Sequence, residues 1–285
     1  MSAVNAVLRA VFDAALLPFR SLPPIVGLLV VSLVVAVGML LVFKVTSNQR
    51  KLEAVKRQIH ACLFEIRLFR DDVWAILRAQ SEILRHNVRY LGLSLVPMLV
   101  MLAPLVLVIA QLQFHYGYRG LRPGEEFLVK VHLKDGWEAS SPAAPSQGAL
   151  PRPASTLEAP RGLTVATPAV WIPSERELAW RLRADQWGDY ALKLRLGDQE
   201  YSKTAQVANG VRRRSPLRVE PTLLNELLYP AEDPLPRESP IVSISVSYPE
   251  ESVSLLGWHM PWLAAFLVLS IAFAFALRGW LGVTL

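Results

Sequence analysis

Three apolar runs without a charged side chain constrain this chain more than any other feature of its sequence. They cover residues 25–43, 90–112 and 261–277. A helix needs about 20 such residues to cross a hydrocarbon core roughly 30 Å thick, so the short third run is expected to begin near residue 255. The alternative is three buried helices of a large soluble core. We favour the first interpretation and predict transmembrane helices over residues 25–43, 90–112 and 255–277.

The composition agrees with a membrane protein. Of the 285 residues, 52% are hydrophobic and only 19% are charged, whereas soluble domains carry about 25% charged residues. This balance excludes a disordered chain and makes a simple soluble domain improbable. The single cysteine excludes an intramolecular disulfide framework and any metal site with several cysteine ligands.

The distribution of charge predicts how the chain lies in the membrane. Residues 44–89 hold ten Lys and Arg against five acidic residues, whereas residues 113–258 hold seventeen basic and eighteen acidic residues. Basic residues in short loops next to a span mark the cytoplasmic side. We therefore expect residues 44–89 and the tail 278–285 inside, and the N-terminus and the long segment outside. The net charge of +6 then belongs mostly to a membrane loop, and we expect no nucleic-acid partner.

The first 22 residues form a segment of a different kind. Their apolar residues recur at helical spacing, and Asn5, Arg9 and Asp13 occupy polar positions between them. This pattern predicts a short amphipathic helix over residues 1–22 that lies on the outer membrane surface. A frayed terminus is the alternative.

Residues 46–89 carry two heptad patterns separated by a polar break at residues 70–72. Spacings of three and four predict an antiparallel coiled-coil hairpin on the cytoplasmic side. Cys62 falls on this seam, which favours a small buried core residue over a reactive thiol. The expected seam residues are Leu52, Val55, Ile59, Cys62, Ile66, Phe69, Val73, Leu77 and Leu84, with Gln80 and Asn87 continuing the second pattern.

Residues 113–254 are rich in β-branched and aromatic runs. Six such runs predict strands over residues 127–133, 164–171, 177–183, 190–196, 201–207 and 241–248. Short alternating strands separated by turns predict an immunoglobulin-like β-sandwich outside the membrane. Residues 140–160 are interpreted as a flexible loop, residues 222–229 as a short helix, and Arg212–Arg214 as a solvated basic loop or as a contact for acidic partners or headgroups.

No nucleophile with a base, no metal-ligand spacing and no phosphate-binding loop occurs in this domain. We therefore expect a protein that is not an enzyme and has no cofactor and no small-molecule substrate. The fold class predicted from the sequence is an α+β membrane protein with three transmembrane helices, a cytoplasmic hairpin and an outer β-sandwich.

The order of these segments resembles the YidC-type membrane-protein insertase superfamily. It is most similar to the small three-span members, such as the coiled-coil subunit of the endoplasmic-reticulum membrane protein complex and its archaeal relatives. The residues that carry the resemblance are the hairpin 49–89, including the stretch 65–72, and the following run 90–112. The large outer domain and the absence of a charge inside any span depart from the family pattern.

The resemblance implies a groove between the spans that is open to the cytoplasm and to lipid. Residues that could line its mouth here are Lys44, Arg89, Ser32, Ser94 and Gln111. For the two cations, ordinary anchoring of topology is the alternative. The resemblance further implies a location in the cytoplasmic (inner) membrane and a bilayer and membrane-protein clients as partners. Two function classes follow, an insertase-like or chaperone-like factor and a non-catalytic structural or assembly subunit of a larger membrane complex.

Overall fold

A computed structural model describes residues 2–69, 72–136, 153–255 and 257–283 as an α+β protein. The chain divides into two compact units. The first, here called the β unit, comprises Met1–Gly27 and Leu107–Leu263. The second, here called the helical unit, comprises Leu28–Val106 and Ala264–Leu285. Each unit is described by itself.

The helices of the described residues differ strongly in length. They are α1 (Ser2–Leu16), α2 (Pro24–Thr46), α3 (Gln49–Leu68), α4 (Val73–Tyr116), α5 (Leu223–Leu228) and α6 (Trp262–Leu277). Two segments, Pro24–Thr46 and Ile76–Tyr116, are long and apolar enough to cross a membrane by length and composition. The chain therefore contains two candidate membrane helices and a shorter apolar helix, α6.

The second half of the predicted hairpin and the second predicted span form one helix. α4 runs through 44 residues without a break, although Pro97 and Pro104 lie inside it. A proline removes one backbone N–H and leaves a carbonyl without its usual donor, which apolar helices tolerate when neighbouring groups compensate.

The third apolar run begins later than predicted. Residues 252–261 form a hairpin of two short strands in which Trp258 pairs with Leu255, and α6 starts only at Trp262. Gly257 supports the turn with a φ of 86°, a conformation that side chains with a Cβ disfavour. The predicted start near residue 255 is therefore wrong, because those residues pair as strands.

The β unit is built on ten strands in the described residues. These are β1 (Glu126–Leu133), β2 (Ser155–Glu158), β3 (Leu163–Ile172), β4 (Glu177–Ala184), β5 (Gly188–Leu196), β6 (Gln199–Val207), β7 (Leu217–Val219), β8 (Ile241–Val246), β9 (Ser252–Leu255) and β10 (Trp258–Pro261). A five-stranded antiparallel sheet has the order β3-β4-β1-β8-β7, and a three-stranded one has the order β2-β5-β6. β9 and β10 pair with each other.

The two larger sheets share one hydrophobic core. Val129, Leu178 and Ile244 contribute to it from the five-stranded sheet, and Leu192 and Ala205 contribute from the three-stranded sheet. The strands alternate buried and exposed residues, as in β5, because successive side chains of a strand point to opposite faces.

All six strands expected from the sequence are present, within two residues at each end, as is the helix expected over residues 222–229. The loop expected over residues 140–160 is partly wrong, because Ser155–Glu158 forms a strand that pairs with β5. The part of that loop from residue 140 to residue 152 lies outside the described residues. Strands β2, β7, β9 and β10 were not expected, and each has only three or four residues.

Candidate functional site

The two cations expected at the groove mouth have different surroundings. Lys44 lies in the last turn of α2, where its Nζ donates a hydrogen bond to the carbonyl oxygen of Leu281 at 2.7 Å. Arg89 is exposed on α4 and forms no ion pair within the described residues. Lys44 therefore holds the chain end that follows α6, and Arg89 has a free charge.

The serines of the apolar helices are buried without partners. Ser32 of α2 is fully buried, and its hydroxyl finds no hydrogen-bond partner in the described residues. The same holds for the hydroxyl oxygens of Ser94 in α4 and Ser270 in α6. Each of the three apolar helices thus contributes one unsatisfied hydroxyl to the helical unit. Ser270 was missed from the sequence, although a serine inside an uncharged run is a usable signal.

None of these hydroxyls lies near a helix end, and Ser94 is at the middle of α4. At a rise of about 1.5 Å per residue, Ser32 lies about 18 Å along its helix from Lys44, whereas Ser94 lies about 7.5 Å from Arg89. The sequence placed both serines at one mouth. Ser32 instead lies in the middle of α2.

A separate apolar cluster joins the same helices near Lys44. Leu40 and Phe43 of α2 are buried in it, together with Leu52 of α3, and Leu93 and Leu277 pack against it. This cluster ties α2, α4 and α6 together beside the carbonyl that Lys44 binds.

Gln111, the fifth expected mouth residue, belongs to the β unit. It is buried, its side-chain oxygen lacks a partner, and its backbone carbonyl lies 3.0 Å from Nδ1 of His115 one turn later. Its neighbourhood is the C-terminal end of α4, where the residues around it are also buried.

On α3, the expected seam positions from residue 52 to residue 66 are more buried than their neighbours. Leu52, Val55 and Cys62 are buried, and Ile59 and Ile66 are half-buried. Cys62 lies 3.9 Å from a carboxylate oxygen of Glu82, and Lys56 lies 5.7 Å from the ring centre of Tyr90. The earlier residue of α3 contacts the later residue of α4, and the later residue of α3 contacts the earlier one. α3 and the first part of α4 therefore run antiparallel, side by side.

On the second helix the expected seam is wrong by one position. Leu84 is 66% exposed, and Val73 and Leu77 are exposed as well. Phe69, the last residue of the first pattern, is also exposed. The residues turned inward are instead Ile76, Ala79, Ile83, His86 and Tyr90, which keep the same three-and-four spacing. Both stripes of α4 satisfy a heptad pattern. We call the stripe that contains Ala79 the inner stripe and the one that contains Leu84 the outer stripe. The small side chain of Ala79 leaves room for α3 to pack against the inner stripe.

Cys62, Glu65 and Glu82 bring their sulfur and carboxylate oxygens within 4.8 Å of one another. Burial and the two nearby carboxylates raise the pKa of the Cys62 thiol. A thiol held in its protonated form is a weak metal ligand and a weak nucleophile, so this cluster agrees with a structural cysteine.

The β unit contains a buried ion pair that sequence reasoning missed. Lys203 is 1% exposed, and its Nζ donates to a carboxylate oxygen of Glu232 at 2.6 Å and to the carbonyl of Ser215 at 2.6 Å. The Ser215 hydroxyl also donates to Glu232 at 2.8 Å. Burial lowers the pKa of Lys203, and the attraction of Glu232 opposes that shift. The signal was present, because Lys203 shares the inward phase of β6 with Tyr201.

The polar stripe of α1 binds the β unit. The Asn5 amide donates to the carbonyl of Glu226 at 2.6 Å, and the Arg9 guanidinium pairs with Asp233 at 2.7 Å. Asp13 lies 3.1 Å from Nε2 of His115 and 3.3 Å from the Arg213 guanidinium. The predicted helix is therefore an ordered part of the β unit.

The apolar stripe of α1 is partly exposed, since Leu16 is 2% exposed and Leu8 and Phe12 are half-buried. Val7 is 63% exposed, and Val11 and the following Leu17 are also exposed. α1 therefore packs through both polar and apolar residues, and part of its apolar surface remains exposed.

The expectation of a solvated loop at Arg212–Arg214 is wrong for its last two residues. Arg213 is half-buried against Asp13, and Arg214 is buried among backbone carbonyls. Burial lowers the pKa of both guanidinium groups. The sequence shows three consecutive arginines, but only packing distinguishes the exposed one from the two that face the protein.

Comparison of the chain with protein-family models, with curated proteins and with solved structures finds no match. The functional argument therefore rests on the residues themselves.

Proposed function

We propose that the chain crosses the membrane three times, through α2, α4 and α6, with the α3–α4 hairpin in the cytoplasm and the β unit outside as an immunoglobulin-like sandwich. The excess of basic residues between residues 44 and 89 supports this orientation. Trp258 and Trp280, which precede and follow α6, are both largely exposed, as interfacial tryptophans are.

Within that arrangement, we propose that the protein assists other membrane proteins during insertion or assembly. The observation that carries this proposal is the set of three buried hydroxyls without partners, Ser32, Ser94 and Ser270. A polar group without a partner is costly in hydrocarbon, and intramembrane polar groups are typically functional. Polar atoms of a client segment, or water that accompanies it, would satisfy these hydroxyls. The resemblance to YidC-type insertases agrees with this role.

The length of α6 supports the same role. Its 16 residues span about 24 Å, whereas the hydrocarbon core is about 30 Å thick. A helix that is too short is accommodated by thinning the bilayer around it. A thinner bilayer lowers the free-energy barrier for moving the polar parts of a client across the hydrocarbon core.

The test is an insertion assay with the full-length protein in proteoliposomes. Replacing Ser32, Ser94 and Ser270 together with alanine is expected to reduce insertion of clients with polar residues in their spans, and to leave purely apolar clients unaffected. Ser254→Ala, at an exposed position of β9, is the control. Equal insertion by the triple variant and wild type for polar clients would contradict the proposal.

A second variant pair tests the role of charge at the mouth. Arg89→Gln is expected to reduce insertion of clients with acidic termini, because the charge of Arg89 is free. Lys44→Gln is expected to have a smaller effect on the same clients, because Lys44 already binds a carbonyl. Unchanged insertion of these clients by Arg89→Gln would contradict the role of its charge at the mouth and leave topological anchoring.

The alternative is a structural or assembly subunit that binds partners through its outer unit. The large exposed side chain of Trp187, on the turn before β5, favours it. Trp187→Ala removes surface rather than core, so the domain should remain folded. Loss of co-purifying partners from this variant, with insertion unchanged in the serine variant, would favour the structural role.

A further inference from the structure

A cavity of about 310 Å³ lies within the β unit, beside the C-terminal end of α4. Residues between 115 and 122 form one wall, and the loop from 208 to 214 forms another. Pro24, the first residue of α2, and Glu251 complete the lining. The proposed function and the corrected hairpin do not use this cavity.

The central group of the lining is the guanidinium of Arg214, whose residue is 2% exposed. Its Nη1 donates to the carbonyl of Tyr118 at 2.6 Å, and its Nη2 donates to the carbonyl of Gly210 at 2.7 Å. Its Nε has no partner, and no carboxylate lies within ion-pair distance among the described residues. A buried charge that meets only backbone carbonyls lacks the counter-ion that such charges usually have.

Two glycines allow the surrounding loops to close around this group. A Cβ at Gly120 would lie 1.9 Å from the carbonyl oxygen of Ala208 and 3.0 Å from Nη2 of Arg214. Gly210 has a φ of 80°, and a Cβ there would lie 2.2 Å from the carbonyl oxygen of Arg20. The backbone around the guanidinium therefore packs so closely that only glycine fits at these two positions, and this packing fixes the position of the guanidinium.

The remaining charges favour an anion. Arg122 is exposed at the cavity and forms no ion pair within the described residues. Arg119 also lines the cavity, but its charge is matched by two hydrogen bonds to Glu125. Glu251 is the carboxylate among the lining residues, so the positive charges of Arg122 and Arg214 exceed the negative charge.

Tyr116 also lines the cavity, but its hydroxyl lies against α2, where a Cβ at Gly27 would be 2.3 Å from it. Tyr116 is buried, and its hydroxyl lacks a partner in the part of the chain that the structure describes. The Nε–H of Arg214 and the guanidinium of Arg122 are the donors that match the several acceptor oxygens of a phosphate group.

We propose that this cavity binds a phosphate group, either the headgroup phosphodiester of an anionic phospholipid or free phosphate. The choice of a lipid as the source of the phosphate rests on the proposed function. Pro24 is the first residue of α2 and Tyr116 is the last residue of α4. If both helices cross the membrane as proposed, the cavity lies at the level of the headgroups of the outer leaflet. Binding of a headgroup there would anchor the β unit to the bilayer surface.

The test uses the full-length protein in an uncharged detergent and measures binding by calorimetry. The probes are dihexanoylphosphatidylglycerol, inorganic phosphate, and dihexanoylglycerol, which lacks the phosphate. We expect one phospholipid to bind per chain and no binding of dihexanoylglycerol. Binding by inorganic phosphate with the same dependence on the variants would identify free phosphate as the ligand.

Arg122→Gln is expected to weaken binding about tenfold, the loss typical of one hydrogen bond to a charged group. Arg237→Gln, at another exposed arginine of the β unit, is the control and should bind as wild type does. Arg214→Gln should abolish binding, but it also removes bonds that hold two loops together, so Arg122→Gln keeps the proposal testable if that variant fails to fold.

The proposal is overturned if none of the phosphate-bearing probes binds, or if Arg122→Gln and the control bind equally well. Because binding is measured without a client, a negative insertion assay leaves this result unaffected. A negative binding result likewise leaves the insertion assay to be judged by its own variants.

Discussion

At the scale of single residues, the buried pair of Lys203 and Glu232 is the most consequential polar contact in the β unit. Each carboxylate oxygen of Glu232 has a donor, since one accepts from the backbone N–H of Thr204 at 3.1 Å and the other accepts from Lys203. Such a pair contributes little net stability relative to apolar residues, but it leaves an uncompensated charge when one partner is removed.

Lys203→Met is therefore expected to destabilise the β unit by about 3–5 kcal/mol, because it leaves the Glu232 carboxylate buried and unpaired. The double variant Lys203→Met with Glu232→Leu should recover most of that loss. Unfolding in denaturant followed by tryptophan fluorescence measures both. If the double variant is no more stable than the single one, the unpaired charge of Glu232 is not the cause of the lost stability, and the packing of the two side chains is.

The contact of α1 with the β unit depends on the ionised form of Asp13. Burial alone would raise its pKa, but the hydrogen bond with His115 and the charge of Arg213 lower it below the ordinary value of 3.8. Because the folded-state pKa is the lower one, this stabilising contribution is complete above pH 3.8 and is lost as the pH falls through the folded-state value.

We expect acid to release α1 before the sheets unfold, as increased hydrogen exchange over residues 5–16 once intrinsic rates are corrected for pH. Asp13→Asn lacks the titrating group, and its exchange over the same residues should be higher at neutral pH and independent of pH in this range. An acid-induced release of equal size in both proteins would assign the effect to another group.

At the scale of elements, the hairpin shows two apolar stripes on one helix, one position apart. The inner stripe contains Ala79, which is 1% exposed, and the outer one contains Leu77, Leu84, Val88 and Leu91, all exposed. The outer stripe has leucine or valine at these positions, whereas the inner one includes Ala79 and His86, so a pattern of hydrophobicity alone favours the outer stripe. The inner stripe is buried because a small residue lets the two helices pack closely.

Ala79→Leu is expected to destabilise the hairpin by about 1–3 kcal/mol through overpacking, whereas Gln80→Leu at the exposed neighbouring position should change little. The two variants introduce the same side chain one position apart. Limited proteolysis of residues 47–89 in the purified protein measures the difference. Greater sensitivity of the Gln80→Leu variant would restore the seam expected from the sequence.

At the scale of the whole molecule, the two units contain different kinds of residues. The helical unit contains the uncharged runs and the basic hairpin, while most of the acidic residues lie in the β unit. A sharp difference of this kind along one chain is typical of membrane proteins whose loops face different compartments.

The proposed topology predicts which engineered cysteines an impermeant thiol reagent can reach. In a background with Cys62→Ser, Glu238→Cys should react in intact cells, and Gln58→Cys should react only after the membrane is permeabilised. Both positions are exposed, so burial does not confound the comparison. The reverse labelling pattern would invert the topology and remove the basis for the proposed insertion role.

Local chemistry was sufficient to predict much of the architecture. The apolar runs predicted α2 and the apolar part of α4, and the alternation around Leu192 and Leu194 predicted β5 and its neighbours. Such features depend on side chains close in sequence, which have the same period whatever they pack against. The same period placed Leu52, Val55 and Cys62 on one face of α3, where they are buried.

What only the tertiary structure decided depends on which face meets a partner. Arg212 and Arg214 differ in burial although they are two residues apart, because the loop wraps Arg214 with carbonyls from 118 and 210. The inner stripe of α4, the start of α6 at Trp262 and the polar contacts of α1 were likewise set by contacts between distant segments. The spacing of apolar residues predicts that a helix has faces of different polarity, and only packing against other segments determines which face is buried.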